Sequence, residues 1–305
     1  MAASHEQHIQ KALERMNLKI HDVISDLTGM SGLKMIEAIL GGQRNPVALV
    51  ALVALCDPQV QKRKGVALRA ALEGTWKKEH LFALRQAHEL WNAYEKRIAE
   101  CDEAIATVLR EMVGPEDPQA PAPRPGTKRG GVNAPQIAGL HGLLFRLCGD
   151  KDPTQLPGVA DYVLLQLLSE VGTDLGKNWR TEKHFTAWLG LAPGSRQSGK
   201  RKGSQKRSRN RAGRLFCVIA RWVGRSVDTA LGGFYRRLKR RRGGLIANIA
   251  LARKLAERFW RLMVRGVDYV EQGLKKYEQK VVQTEVGLLQ KLALKHNFVV
   301  QPRAA

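Results

Sequence analysis

Apolar residues return at steps of three and four along most of the chain, and alternating β-branched runs are scarce, so the pattern predicts a mainly α-helical fold. Ile9, Leu13, Met16, Leu18, Ile20, Val23 and Ile24 fit one amphipathic helix over 5–27, and shorter helices are expected at Leu33–Leu40 and Val47–Leu55. Between His80 and Met112 the spacing tightens into a seam. Leu84, Ala87, Trp91, Tyr94, Ile98, Cys101, Ile105, Val108 and Met112 follow alternating three- and four-residue steps. That heptad repeat fits both a long helix lying on its own neighbours and an intermolecular coiled coil; the mixed seam residues fix no oligomer number.

The helix is expected to stop at Gly114, because Pro115, Pro118, Pro121, Pro123 and Pro125 follow and favour extended backbone. Lys128 and Arg129 close this stretch, and helical patterning resumes near Ala134. The sequence therefore divides into a helical assembly region, 1–113, a proline-rich linker, 114–133, and a C-terminal domain, 134–305. In the last, Leu156 to Gly172 has the shape of a helix-hairpin-helix: an apolar residue, a turn at Gly158, then an amphipathic helix. Amides at such a helix start suit a phosphate, although glycine turns between helices are commonly structural. Leu27 to Gly42, with Gly29 and Gly32, is a weaker parallel. Further helices are expected at Leu215–Leu231, at Leu245–Met263, which reads as core, and through 267–294.

Charge sharpens this division. The net charge is +23, from 51 Lys and Arg against 28 Asp and Glu, and residues 1–113 hold fifteen basic and fourteen acidic side chains. Nearly all the excess thus lies in the C-terminal part, which points to a polyanion-binding half beside a near-neutral assembly half. Two tracts dominate. The first is Arg196, Lys200, Arg201, Lys202, Lys206, Arg207, Arg209, Arg211 and Arg214, in a turn-rich loop with no Asp or Glu between Glu182 and Asp228. The second is Arg236, Arg237, Arg240, Arg241 and Arg242 beside Phe234 and Tyr235, rings suited either to base stacking or to anchoring a helix end. Such one-signed fields match a phosphate backbone. No apolar run reaches membrane-spanning length and no secretory pattern opens the sequence. Cys56, Cys101, Cys148 and Cys217 lack the short spacings of a metal knuckle or disulfide staple. A reduced, cytoplasmic, nucleoid-associated protein with no membrane partner is expected.

The basic loop also carries serines at 195, 198, 204 and 208, which the residues alone do not rank. The ordered motifs Leu-Pro-Gly-Val (156–159), Glu182 to Pro193, Gln197-Ser-Gly199, Asn210-Arg-Ala212 and Tyr235-Arg-Arg237 resemble the C-terminal domain of transposases of insertion-sequence family 110, especially the 1111 subgroup. Upstream, Gln10 to Leu18, Val23 to Asp26 and His80 to Ala87 resemble the helical middle region of the same proteins.

The resemblance implies a DNA recombinase whose serine nucleophile corresponds to Ser198. It also implies DNA as partner, a structured noncoding guide RNA in several members, and self-association into a homo-oligomer. In the family a RuvC-like domain with four acids holds Mg2+. Here Met1 leads directly into the helical region, so an N-terminally truncated form lacking that domain, with no metal or cofactor of its own, is expected. Asp22 and Asp26 are expected one helical turn apart on a solvated face. Lys200 stands where the family often has a second glycine. A non-catalytic, transposase-derived nucleic-acid-binding protein is the alternative, and a basic helical protein binding structured RNA is a third.

Overall fold

In the computed structural model, residues 2–24, 26–56, 58–115, 134–193, 196–198, 201–203, 208–268 and 273–299 are described, with backbone alone at 53–56, 58–61, 196–198 and 201–203. The fold is mainly α, in two compact units, Met1–Ala104 and Ile105–Ala305. The linker segment 114–133 lies outside the described residues except for Gly114 and Pro115.

The first unit comprises α1 (Ala2–Arg15), α2 (Ile20–Val23), α3 (Met30–Leu40), α4 (Pro46–Cys56), α5 (Pro58–Ala71) and most of α6 (Lys78–Val113). Its core gathers Ile9, Leu13, Met16, Leu18, Ile20, Met35, Ile36, Ile39, Leu68, Leu72 and Leu84. The single helix expected over 5–27 is broken. Met16, Leu18 and Ile20 are all fully buried at a spacing of two, which a continuous helix cannot turn to one side. Asn17 adopts a positive φ of 58°, and the extended backbone pairs with the end of α5, Lys19 N donating to Ala71 O at 3.0 Å and Thr75 N to Met16 O at 2.7 Å. Because α2 ends at Val23, Asp22 and Asp26 do not share a helix face. Helix α5 was not anticipated: Gly65 interrupts its pattern, and Leu68 is its deeply buried anchor.

The second unit runs α7 (Leu140–Leu147), a 3-10 turn (Pro153–Gln155), α8 (Asp161–Val171), α9 (Leu175–Asn178) and α10 (Glu182–Trp188). Then come strands β1 (Arg196–Ser198) and β2 (Arg201–Gly203), followed by α11 (Arg211–Val223), α12 (Ala230–Arg242), α13 (Gly244–Arg265) and α14 (Gly273–Lys295). Helix α13 is central: Leu251, Ala252, Leu255, Ala256, Phe259, Trp260 and Met263 are buried, and α10, α11 and α12 pack around it. Phe185 of α10, Phe216 of α11 and Phe259 of α13 meet at ring separations of 5.8 to 6.4 Å. Burying each such ring contributes about 2–3 kcal/mol, so these three helices form one rigid block. The indole of Trp260 donates to Trp179 O at 3.1 Å, satisfying its buried N–H.

The helix expected over Leu215–Leu231 is two helices. It stops at Val223 and restarts at Ala230, where Thr229 caps α12 by accepting from Gly232 N at 3.1 Å. Within the turn-rich loop the chain forms a small antiparallel hairpin that periodicity did not reveal.

Candidate nucleic-acid interface

The hairpin lies in the chain between the end of α10 and the start of α11. At its start α10 is capped by Thr181, which accepts from His184 N at 3.3 Å. Next to it, Glu182 receives Arg261 of α13 at 2.8 Å and lies 3.8 Å from Arg265. The Arg261 hydrogen bond, the helix-start amide and the two positive charges hold the Glu182 carboxyl below its ordinary pKa. Thus α10 is tied to α13 by charge as well as by Phe185.

On the exit side, Asn210 caps α11. Its Oδ1 accepts from Gly213 N at 2.8 Å while its Nδ2 donates back to Trp188 O at 3.2 Å. A methyl at Gly213 would stand 2.1 Å from Leu189 O, and one at Gly190, with φ +72°, would stand 2.5 Å from Ser208 O. Only glycine permits these two approaches. They bring the chain leaving α10 and the chain entering α11 together, clamping both ends of the segment between.

In that hairpin Ser198 is the last residue of β1 and stands opposite Arg201; Arg196 stands opposite Gly203, and Gln197 opposite Lys202. The register therefore brings Ser198, Arg196, Arg201 and Lys202 into one six-residue element. Lys200, Lys206 and Arg207, with Ser195 and Ser204, lie outside the described residues. Ser208 is at the clamp.

The remaining basic residues divide by what their side chains do. Arg209 is half-buried, with its Nε shielded from solvent and unpaired among the described residues. Arg211 pairs with Glu170 of α8 at 3.2 Å, and Arg214 donates to Arg209 O at 3.3 Å; both are exposed otherwise. Arg236 donates to Ser226 O at 2.6 Å and Val227 O at 2.7 Å, closing the break between α11 and α12. Arg237 pairs with Glu285 of α14. Both arginines, expected in a phosphate grip, thus have internal partners. Lys239, Arg240, Arg241 and Arg242 are exposed on the last turn of α12, where the carbonyl end of the helix favours positive charge. Of the neighbouring rings, Phe234 lies under Lys254 Nζ at 4.2 Å, and both Phe234 and Tyr235 pack against the core.

At Gly158 the backbone has φ +79°, and a methyl there would meet Ile219 Cγ2 at 2.9 Å and Val223 Cγ2 at 3.1 Å. Its turn is seated on the buried side of α11. On the opposite side of α11 only Arg214 was anticipated from sequence; Val218, Arg221 and Trp222, with Arg225 just past the helix end, were not. Arg214, Val218, Arg221, Trp222 and Arg225 are all exposed, and Arg225 lies over the Trp222 ring at 5.0 Å. Alternation with buried Ala212, Phe216, Ile219, Ala220 and Val223 was the available signal.

Other chemistry is limited. Burial pushes the Cys148 thiol up to about 12 and raises that of Cys217, so neither is a ready thiolate. Among the described residues, no three His, Cys, Asp or Glu side chains gather where a metal ion could sit. Asp22 lies 3.2 Å from the His21 ring, and Asp26 accepts from Thr28 N, Thr28 Oγ1 and Gly29 N, capping the turn before α3. The described residues therefore do not fit a Mg2+ site. No described helix is long and apolar enough to cross a membrane.

Residues 154–236, from the 3-10 turn through the serine hairpin and α11 into α12, match the family model described as Transposase IS116/IS110/IS902 family. No curated protein and no solved structure matches the chain.

Proposed function

We propose that this chain is the serine-bearing part of a DNA transposase of insertion-sequence family 110, of the 1111 subgroup. The observation that carries the reading is that the family match spans the hairpin on which Ser198 faces Arg201, with both ends of that segment clamped. Ser198 Oγ attacks a DNA phosphorus, forming a phosphoserine ester as one P–O bond to deoxyribose breaks. The serine proton leaves with the deoxyribose oxygen. One ester replaces another, so the step conserves bond energy and is reversed when a second strand end displaces the serine. The extra charge of the five-coordinate transition state requires cationic donors. Arg201, opposite Ser198 in the strand register, is the proposed first donor, with Arg196, Lys200 and Lys202 beside it in the sequence.

The acids that would complete the site are assigned to a RuvC-like domain, in cis or in trans, and no step here is routed through a metal. The exposed arginines of α11 and of the end of α12 hold the phosphate backbone, with amides at the start of α8, after Gly158, as a further contact. A guide RNA is a second proposed nucleic-acid partner, and α6 is the proposed element of self-association.

The test is capture of a covalent protein–DNA adduct. The 305 residues alone are expected to give none. Adding a RuvC-like domain, with any guide RNA required, is expected to give an adduct that maps to Ser198 and vanishes in Ser198→Ala, while that variant still binds DNA. An adduct at Ser195 or Ser204 would overturn the residue assignment. Intact binding with no adduct in the completed assembly would favour a non-catalytic, transposase-derived protein.

A further inference from the structure

The exposed face of α11 carries chemistry that the serine reaction does not use. Trp222 is 65% exposed, the most exposed of the six tryptophans, whereas Trp260 is buried and Trp188 leans on Trp179 at 4.7 Å. An indole this open gains nothing from the core. Its neighbours on the same face are Arg214, Val218 at 52% exposure, Arg221 and Arg225. At 3.6 residues per turn these positions fall within an arc of about 100°, Arg225 standing just past the helix end, so one face presents them together, while Phe216, Ile219 and Val223 fix the helix from behind. The face is therefore rigid, aromatic at one end and cationic throughout.

We propose that this face binds single-stranded DNA, with an unpaired base stacked on Trp222 and Arg214, Arg221 and Arg225 on the flanking phosphates. The proposal rests on the transposase reading and adds the state of the DNA and the residue that senses it. Charge selects the polyanion: no acid lies between Glu182 and Asp228, and Glu170 is already engaged by Arg211. The ring selects an open base, because a base inside a duplex has both faces covered by its neighbours, while one freed during strand exchange offers its π-face. Arg225 at 5.0 Å holds the indole by cation–π attraction and presents a guanidinium beside the stacking site. Val218 extends the apolar contact by one turn.

The test uses the 305-residue protein and fluorescent oligonucleotides carrying 2-aminopurine, as single-stranded DNA, duplex DNA and single-stranded RNA. Wild type is expected to quench the single-stranded DNA probe. Trp222→Ala should weaken that binding about tenfold, with duplex affinity and the salt slope unchanged, and Trp222→Phe should recover most of the loss. Arg221→Gln with Arg225→Gln should flatten the slope instead, by roughly one unit or more. Equal single-strand affinity in Trp222→Ala would overturn the proposal, as would an equal loss on duplex, which would make the ring structural. A loss confined to RNA would overturn the assignment to DNA. Absence of wild-type binding to every nucleic acid would instead remove the transposase reading itself.

Discussion

Gly213 shows how much of this site depends on a missing side chain. Its Cα lies against the carbonyl of Leu189, and a methyl would come within 2.1 Å of that oxygen, a backbone atom that moves only if α10 moves. Gly213→Ala should therefore cost about 1–3 kcal/mol, the usual range for overpacking, read as a lower midpoint in chemical denaturation. A midpoint equal to wild type would show that the two helix ends are not in contact. Glu182, at the start of α10, gives a pH signature. Its folded pKa is depressed, chiefly by Arg261, so its contribution to stability is complete above the unfolded carboxylate range. It is lost as pH falls through the folded value. Glu182→Gln should thus be less stable than wild type at neutral pH, with the two converging in acid; a gap constant with pH would dissociate the ion pair from stability.

At the scale of elements, α6 shows where heptad spacing stops being informative. Leu84 and Ala87 are buried in the first unit's core, whereas farther along the same seam Ile98, Ile105, Val108 and Met112 are 38 to 60% exposed. The spacing is identical in both halves, because a heptad stripe records that a face will be covered and not by what. Replacing Ile98 and Ile105 with Asp puts charge on the uncovered half and leaves the buried half alone. If that half joins copies of the chain, sedimentation should show an oligomer in wild type and a monomer in the variant; a wild-type monomer at all concentrations refutes the role. The same principle separates what was legible elsewhere. Helices with a strong one-sided pattern, such as α13 and the core face of α11, could be read directly. The break at 224–229 could not, because it is closed by tertiary hydrogen bonds from Arg236 to Ser226 and Val227, whereas that at 16–19 left a signal that went unread, apolar Met16, Leu18 and Ile20 at a spacing of two. Nor was the β hairpin legible, since a six-residue pair of strands rich in Arg, Lys, Gln and Gly has no alternating apolar face. Ser198 stood out only through motif resemblance, whereas Trp222 went unread although it is a tryptophan on the polar face of an otherwise periodic helix.

Across the whole molecule, charge and geometry have to be read together, because an arginine count overstates the surface available to DNA. The sequence places almost all of the +23 after residue 113, yet the structure removes Arg236 and Arg237 from the open tract by giving them carbonyl and carboxylate partners, and leaves Arg240, Arg241 and Arg242 exposed at the helix end. Each phosphate contact releases counterions and contributes about 0.9 units to the slope of log affinity against log salt on duplex DNA. Changing Arg240, Arg241 and Arg242 together to Gln should therefore make the slope shallower by about two to three units, with the thermal midpoint nearly unchanged because no core contact is lost. Arg236→Gln should do the reverse, lowering the midpoint by stripping two carbonyls of their donor while the slope stays as in wild type. Duplex binding measured over a series of salt concentrations, with melting curves on the same samples, distinguishes these outcomes. A slope that is unmoved in the triple variant would place the DNA away from the end of α12, and a slope that falls in Arg236→Gln without loss of stability would mean that this guanidinium leaves its carbonyls to bind phosphate.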